Sequence, residues 1–423
     1  MSSRVALDTL GCKLNQAETE YLYQQFSEAG YQVVSSPAEA DIYVLNTCTV
    51  THIADRKSRH LLRMAHRLNP DSLVVATGCY AERARDRISS IPGVGLVLGN
   101  SEKPRIPGIL SDAGYPACRP EGHSTPTGNR CNDYRTRSLV KIQDGCSIKC
   151  SYCIVPFVRG GENSIPPDMV VDEVRRRIAG GYREVVLTGV RVGSYQSGGN
   201  DLAGLIERIL QDTDVERLRL SSLQPREIST ELIGLWHDER LCPHFHICLQ
   251  SGSDSILEKM GRSYSRKEFE QSISSIRKEV PGAAITTDVM VGFPGEVERE
   301  HEESYRFCQQ MDFARIHVFP FSPRSGTEAA RLPGQVDGKL KRERAKAMLA
   351  LAKASARKFR QRFLGRTMEV LFEQEAGGIW SGLTANYIRV YSVGNGDQSN
   401  TTRNVKLLEP YRDGVRGEIV SRN

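Results

Sequence analysis

The stretch Leu139–Cys153, LVKIQDGCSIKCSYC, decides how the rest of the chain is read. Leu139–Gln143 has the make-up of a strand, Asp144-Gly145 of a turn, and Cys146, Cys150 and Cys153 then follow as C-x3-C-x2-C. Thiolates are the normal ligands of iron–sulfur clusters. Three of them hold three irons of a 4Fe–4S cube and leave the fourth open to an outside ligand. A closed zinc site wants four ligands, and buried structural thiols are the plain alternative.

The amino and carboxylate groups of S-adenosylmethionine suit the open iron as a bidentate chelate, and an electron passed to the adjacent sulfonium would break a carbon–sulfur bond. Outward from the cysteines, residues 137–335 repeat a strand-then-helix rhythm. Strands are expected at Leu139–Gln143, Glu184–Leu187, Arg217–Ser221, His246–Leu249, Ala284–Val291 and Ala314–Phe319, with helices such as Asp168–Ala179 and Arg266–Glu279 between them. Six such units predict an incomplete (β/α)6 barrel.

Residues 4–100 show the same alternation, with strands at Val5–Leu7, Ile42–Leu45 and Leu73–Ala76 and a helix Gln16–Ala29 opened by an Asn15/Glu18 capping box. Cys12, Cys48 and Cys79 follow these strands in VALDTLGC, IYVLNTC and LVVATGC. The C-terminal ends of parallel strands share one edge, where ligand sites form, so three loops can bring three thiolates together. The competing reading is three separate buried thiols.

Eleven cysteines in a chain of 423 residues point to metal or catalytic thiolates if the compartment is reducing. No apolar run suits a bilayer, and MSSRVALDTLGCKLNQ reads as a first strand and not as a signal peptide, so a cytoplasmic location is expected. The net charge of +6 permits a nucleic-acid partner without requiring one. Residues 101–136, rich in Pro, Gly and Ser, read as a connector whose Cys118, His123 and Cys131 lack metal-ligand spacing. Residues 338–366 form a basic helix that either lines an RNA groove or turns Met348, Leu349, Leu351, Phe359 and Phe363 to a core. Short strands at Thr367–Glu373, Leu383–Tyr391, Arg403–Leu408 and Val415–Val420 suggest a small antiparallel barrel. The fold class is therefore α/β, divided into an N-terminal parallel-sheet domain (1–100), the connector (101–136), a central barrel (137–338), the basic helix (339–365) and a C-terminal barrel (366–423). Cys242, Cys248 and Cys308 read as packing residues.

The strings TLGCKLNQAET, LNTCTVT, TGCYAE, KIQDGCSIKCSYCIVPFVRG, HICLQSGSDSILEKMGRSY, DVMVGFPGE and VFPFSPRSGTEAARLPGQV span nearly the whole chain. On them the sequence resembles the radical S-adenosylmethionine methylthiotransferases, and GCKLNQAET with LVKIQDGCSIKCSYCIVP most resembles the MtaB-type branch. The resemblance implies two 4Fe–4S clusters, one on Cys12, Cys48 and Cys79 and one on Cys146, Cys150 and Cys153. It implies that two S-adenosylmethionine molecules are used, one as methyl donor and one as radical source. It also implies a C-terminal TRAM module, a tRNA partner, and an electron donor and a sulfur source of unknown identity, with no membrane and a monomeric chain. The N-terminal domain would cover the barrel mouth.

In this family the adenosyl ligand lies at strand ends, which puts Tyr152, Thr188, Gly189, Ser221, Ser222, Gln250 and Ser251 forward as cofactor-binding residues. The MtaB-type product carries the methylthio group on C2 of N6-threonylcarbamoyladenosine, just 3′ of the anticodon. The other branches act on isopentenyladenosine in tRNA or on a ribosomal-protein aspartate. An RNA-binding protein with structural or redox-sensing clusters is the non-enzyme alternative. The threonylcarbamoyl carboxylate calls for a cation, and Arg159, Arg191 and Arg324 are the unranked candidates. The family usually places Ser-Arg after RGGEN, whereas this chain has Ser164-Ile165.

Overall fold

Ile42–Thr47 is buried along its whole length, as the central strand of a parallel sheet covered on both faces must be. The sheet holds Arg4–Thr9 (β1), Gln32–Val34 (β2), Ile42–Thr47 (β3), Leu73–Gly78 (β4) and Val94–Val97 (β5), in the order β2-β1-β3-β4-β5 and parallel throughout. Ile42 and Val44 pack with Val5, Leu22 and Phe26, and Tyr43 and Leu45 pack with Leu62, Ala65 and Ile88. This strict alternation fixes the register, because a one-residue slip would exchange the two faces.

The computed structural model describes residues 2–117 and 136–420; Cys118, His123 and Cys131 lie outside them. The chain divides into two units. The first comprises residues 1–131, 144–162 and 322–327; the second comprises 132–143, 163–321 and 328–423. Of the expected connector, Ile106–Asp112 is helical, and Ile106 and Leu110 join the core of the N-terminal sheet.

The helix Lys13–Ala29 (α1) starts earlier than expected, with Cys12 at its N-cap and no side-chain cap. The expected Asn15/Glu18 capping box is therefore corrected. Both residues are buried inside the helix, and Asn15 Nδ2 donates to the carbonyl oxygens of Leu10 and Thr47 at 2.8 and 3.0 Å. The helix His52–Leu68 (α2) is capped conventionally, Thr51 accepting from the Ala54 amide.

In the second unit six parallel strands follow one another: Arg137–Lys141 (β6), Glu184–Thr188 (β7), Arg217–Leu220 (β8), His244–Ile247 (β9), Ala284–Val291 (β10) and Arg315–Pro320 (β11). They form two sheets, β8-β7-β6 and a second in which Ser222–Leu223 pairs with β9, followed by β10 and β11. Ser221 is where the chain passes from one sheet to the other. Phe245, Ile247, Ile285 and Val289 pack with Ile273 and Phe307 of the covering helices. The alternate residues His246, Cys248, Thr286 and Asp288 lie on the opposite face.

The helix Gly338–Gln361 has one core face: Met348, Leu351 and Phe359 are buried, and Arg344 is buried on Glu296 at 2.8 Å. Leu349 is exposed, against expectation. Lys339, Arg342, Lys346, Lys353 and Arg357 are also exposed.

The C-terminal strands are Thr367–Ala376 (β12), Ile379–Thr384 (β13), Arg389–Ser392 (β14), Thr402–Tyr411 (β15) and Gly414–Ile419 (β16), and they close as β12-β13-β14-β16-β15. Two expectations are corrected here. The barrel is not wholly antiparallel, since β14 and β16 run parallel. Leu383–Tyr391 is not one strand, because the chain turns between β13 and β14 with Tyr387 at φ +63°.

This barrel is joined to the rest of its unit by a buried charge cluster. Glu184, fully buried, pairs with Arg219 at 2.6 Å and Arg217 at 2.8 Å. Arg219 also donates to the Ala385 carbonyl at 2.7 Å and lies 3.9 Å from the Tyr387 ring centroid. Burial alone would raise the Glu184 carboxyl, but the two guanidinium groups bring it down to about 2. A carboxyl depressed in the folded state contributes stability above its unfolded value of 4.5, and loses it as pH falls toward 2. Glu184→Gln should therefore destabilise this unit by about 3–5 kcal/mol at pH 7. The deficit should shrink between pH 4.5 and 2, as measured by denaturant unfolding across that range.

Candidate iron–sulfur centres

The sheet order puts β1, β3 and β4 side by side, and a cysteine follows each. Cys12 caps α1, Cys48 directly follows β3, and Cys79 opens the short helix Cys79–Arg83 (α3) after β4. Gly11 makes the approach possible. It sits at φ +106°, and a Cβ there would come within 2.7 Å of both Cβ and Sγ of Cys48. Cys12 is exposed, whereas Cys48 and Cys79 are buried. Burial pushes the Cys48 thiol up to about 12, with Cys12 and Cys79 adding to the rise, and burial likewise raises Cys79. The sheet order and the close approach of Gly11 to Cys48 put the three cysteines at neighbouring strand ends.

The second set sits on the loop that follows Gly145, a residue at φ +69° whose Cβ would meet the Gly161 carbonyl oxygen at 1.9 Å. The Cys153 amide donates to the Cys150 carbonyl at 3.0 Å, and the Cys146 amide to that of Gly160 at 3.0 Å. The loop is thus folded back on itself, with all three cysteines partly exposed. Both sets fit a three-thiolate cluster by the chemistry of their donors.

Arg159, on the helix Val155–Arg159 (α4) just past Cys153, ties the two sets together within the first unit. Its Nε donates to Cys79 Sγ at 3.2 Å, Nη1 to Glu18 and Asp144 at 2.9 Å each, and Nη2 to Asn15 at 2.6 Å and Glu18 at 3.1 Å. Its side chain is 2% exposed. Burial would lower its pKa, but Glu18, Cys79 and Asp144 hold it well above the ordinary value. Ile154 and Val158 pack on Cys79 from the apolar side. Lys103 adds a second cation on Glu18 at 2.5 Å.

The three arginines proposed from the sequence are placed very differently. Arg159 has no donor left for a substrate. Arg191 pairs through Nε with Glu227. Arg324 has 1% of its side chain exposed and donates from Nη2 to Thr49 Oγ1 at 2.8 Å and Asp55 at 2.6 Å.

Among the residues expected at the cofactor, Thr188 and Ser221 are buried strand-end residues, and Gly189 lies against Gln143. Tyr152 and Ser222 are partly exposed. Gln250 sits at φ +67°, its amide and carbonyl both bonded to β10. The Ser251 hydroxyl is spent on Ser304 at 3.0 Å, a structural use.

One cluster escaped the sequence reading. Cys248, expected to be a packing residue, faces Asp288 at 3.9 Å, and His246 Nε2 lies 3.3 Å from the same carboxylate. Asp288 and Cys248 outweigh burial and push His246 up to about 10, so it is a cation at neutral pH. The signal was present as alternating polar residues on two neighbouring strands.

The family described as Radical SAM superfamily matches residues 140–308, and Uncharacterized protein family UPF0004 matches residues 4–99. The threonylcarbamoyladenosine tRNA methylthiotransferase MtaB of Bacillus subtilis is 37% identical, the match covering 98% of this chain and 97% of that protein. This chain belongs to the radical S-adenosylmethionine tRNA methylthiotransferases. A tRNA-2-methylthio-N(6)-dimethylallyladenosine synthase of Syntrophotalea carbinolica is 32% identical over 98% of this chain and 99% of its own length. Among solved structures, the radical S-adenosylmethionine methyltransferase TsrM of Kitasatospora setae superposes with a TM-score of 0.57 at 17% identity, over 78% of this chain and 77% of that one. That likeness extends to the fold. The family implies a 4Fe–4S cluster and S-adenosylmethionine, and the donor set Cys146, Cys150 and Cys153 suits both.

Arg159→Met would leave Glu18 to Lys103 alone and take the guanidinium from Asp144, and should lower apoprotein stability by about 1–3 kcal/mol. Thermal unfolding measures this. In the apoprotein at pH 8, alkylation followed by peptide mass spectrometry should label Cys12 well before Cys48 and Cys79, because only Cys12 is exposed.

Proposed function

We propose that this protein attaches a methylthio group to C2 of N6-threonylcarbamoyladenosine in tRNA, just 3′ of the anticodon, using two clusters and two molecules of S-adenosylmethionine. The observation that carries the reading is Arg159, which binds Cys79 of one cysteine set while standing six residues beyond Cys153 of the other. A radical source and a sulfur-bearing centre must be close for their products to meet, since a carbon radical has no time to diffuse.

When bound, a cluster on Cys146, Cys150 and Cys153 supplies the electron that cleaves S-adenosylmethionine, and one on Cys12, Cys48 and Cys79 supplies the sulfur that takes up a methyl group. The chain's own residues hold and shield this chemistry. Arg159 donates an N–H to Cys79 sulfur and offsets thiolate charge there. Asn15 fixes α1 to the last residue of β3 through the Thr47 carbonyl, and so fixes Cys12 against Cys48. Cys48 and Cys79 are shielded from water, as radical chemistry requires. The exposed lysines and arginines of Gly338–Gln361 suit a phosphate backbone, and the C-terminal barrel is read as a TRAM module. Relatives named for the threonylcarbamoyl nucleoside are 32–37% identical to this chain, and those named for the dimethylallyl nucleoside 30–32%. This favours the former.

Nucleoside mass spectrometry of tRNA from a deletion strain tests the reading. The 2-methylthio threonylcarbamoyl nucleoside should vanish, return with the wild-type gene and stay absent with Cys48→Ala. Loss of the methylthio group from the dimethylallyl nucleoside alone would assign the chain to the other branch.

A further inference from the structure

Three metal-ligating side chains meet on the face of β9 and β10 that is turned away from the covering helices. One ligand atom from each of His246, Cys248 and Asp288 lies within 4.8 Å of those of the other two. His246 Nε2 is 3.3 Å from Asp288 Oδ2, and Cys248 Sγ is 3.9 Å from the same oxygen. Around one zinc ion, with bonds of about 2.0 Å to nitrogen and oxygen and about 2.3 Å to sulfur, tetrahedral ligands stand about 3.3–3.6 Å apart. The nitrogen–oxygen edge already has that length, and the sulfur has only a short way to close. An ion pair between His246 and Asp288 explains one edge of this triangle, whereas a shared metal ion explains all three. The surroundings also prepare His246 as a ligand. Its Nδ1 is 2.9 Å from Thr286 Oγ1, and His244 Nε2 is 3.1 Å from the same hydroxyl. A hydroxyl that donates to His244 accepts from His246 Nδ1–H, and His246 Nε2 is then the nitrogen with the free lone pair. An outer bond of this kind fixes the tautomer and ring plane of a metal-ligating histidine.

We propose that His246 Nε2, Cys248 Sγ and an Asp288 carboxylate oxygen bind a zinc ion, with an oxygen ligand in the fourth position. The site is separate from both cysteine triplets, which belong to the first unit, whereas these three residues belong to the second. A thiolate beside an imidazole selects zinc over magnesium and calcium. The thiolate and the carboxylate together balance the charge of a divalent ion. His246 and Asp288 keep 13% and 26% of their side chains exposed and Cys248 is partly exposed, so the ion has a way in. Without metal, Asp288 and Cys248 hold a proton on His246. Zinc takes the place of that proton and of the thiol proton, and both pass to solvent. Three protein ligands with a fourth position for water or another oxygen make an open site and not a closed structural one. The site does not depend on which nucleoside the enzyme modifies.

The test uses the full chain reconstituted with iron and sulfide, then dialysed without oxygen against zinc buffered by a chelator. Zinc and iron per chain are measured by plasma mass spectrometry, and the zinc environment by X-ray absorption. The wild type should take up about one zinc per chain without losing iron, and that zinc should show a single sulfur beside nitrogen and oxygen. Thr286→Val, which removes only the orienting hydroxyl, should weaken zinc binding about tenfold. Cys248→Ala and Asp288→Asn each remove a ligand and should weaken it more than about a hundredfold, again with iron unchanged. A wild type that keeps its iron and takes up no zinc overturns the site. Zinc with several sulfurs also overturns it, because that ion sits on cluster cysteines, and so does zinc with none. Full zinc affinity in Cys248→Ala does the same. The zinc count and sulfur number of the wild type decide the question even where a variant does not fold.

Discussion

The buried pairing of Arg159 with Glu18 is the contact on which the first unit depends. At 2% and 8% side-chain exposure, both charges need partners, and each has a second one, Asp144 for Arg159 and Lys103 for Glu18. Together with Asp144, Asn15 and Lys103 they make a network in which carboxylates, guanidinium and ammonium groups answer one another. Its consequence is positional. Residues from α1, from the loop before Cys146 and from the helix after Cys153 are held at one point, and Cys79 sulfur is part of that point. Loops distant in sequence thereby acquire the fixed spacing that a two-centre radical reaction needs.

Arg324 follows the opposite logic. Arg159 is hydrogen-bonded through all three nitrogens, whereas Arg324 is held through Nη2 alone, its Nε and Nη1 being buried without a hydrogen-bond partner among the described residues.

Most of the architecture was legible from periodicity. Ala284–Val291 and Arg266–Glu279 fall as expected, because a largely buried strand and a Ser265–Glu268 capping box leave clear marks. The cysteines were legible because each follows an apolar strand, and parallel topology does the rest. The start of α1 was not, because Asn15 and Glu18 have capping chemistry but are drawn into tertiary bonds with Thr47 and Arg159. The division of β13 from β14 was missed because Tyr387 takes a left-handed conformation in a run of good strand formers, where it packs on Arg219. The His246–Cys248–Asp288 set needed the register of β9 on β10, which no single strand reveals.

On the proposed function, the two cysteine sets hold two clusters with separate tasks. Iron and 5′-deoxyadenosine measured together, in the wild type and in the triple variant Cys12→Ala/Cys48→Ala/Cys79→Ala, test it most directly. The reconstituted wild type should hold about eight irons per chain and the triple variant about four. The variant should still release 5′-deoxyadenosine from S-adenosylmethionine and form no methylthio nucleoside. Retention of about eight irons, or continued methylthiolation by the triple variant, would rule out two clusters with separate tasks.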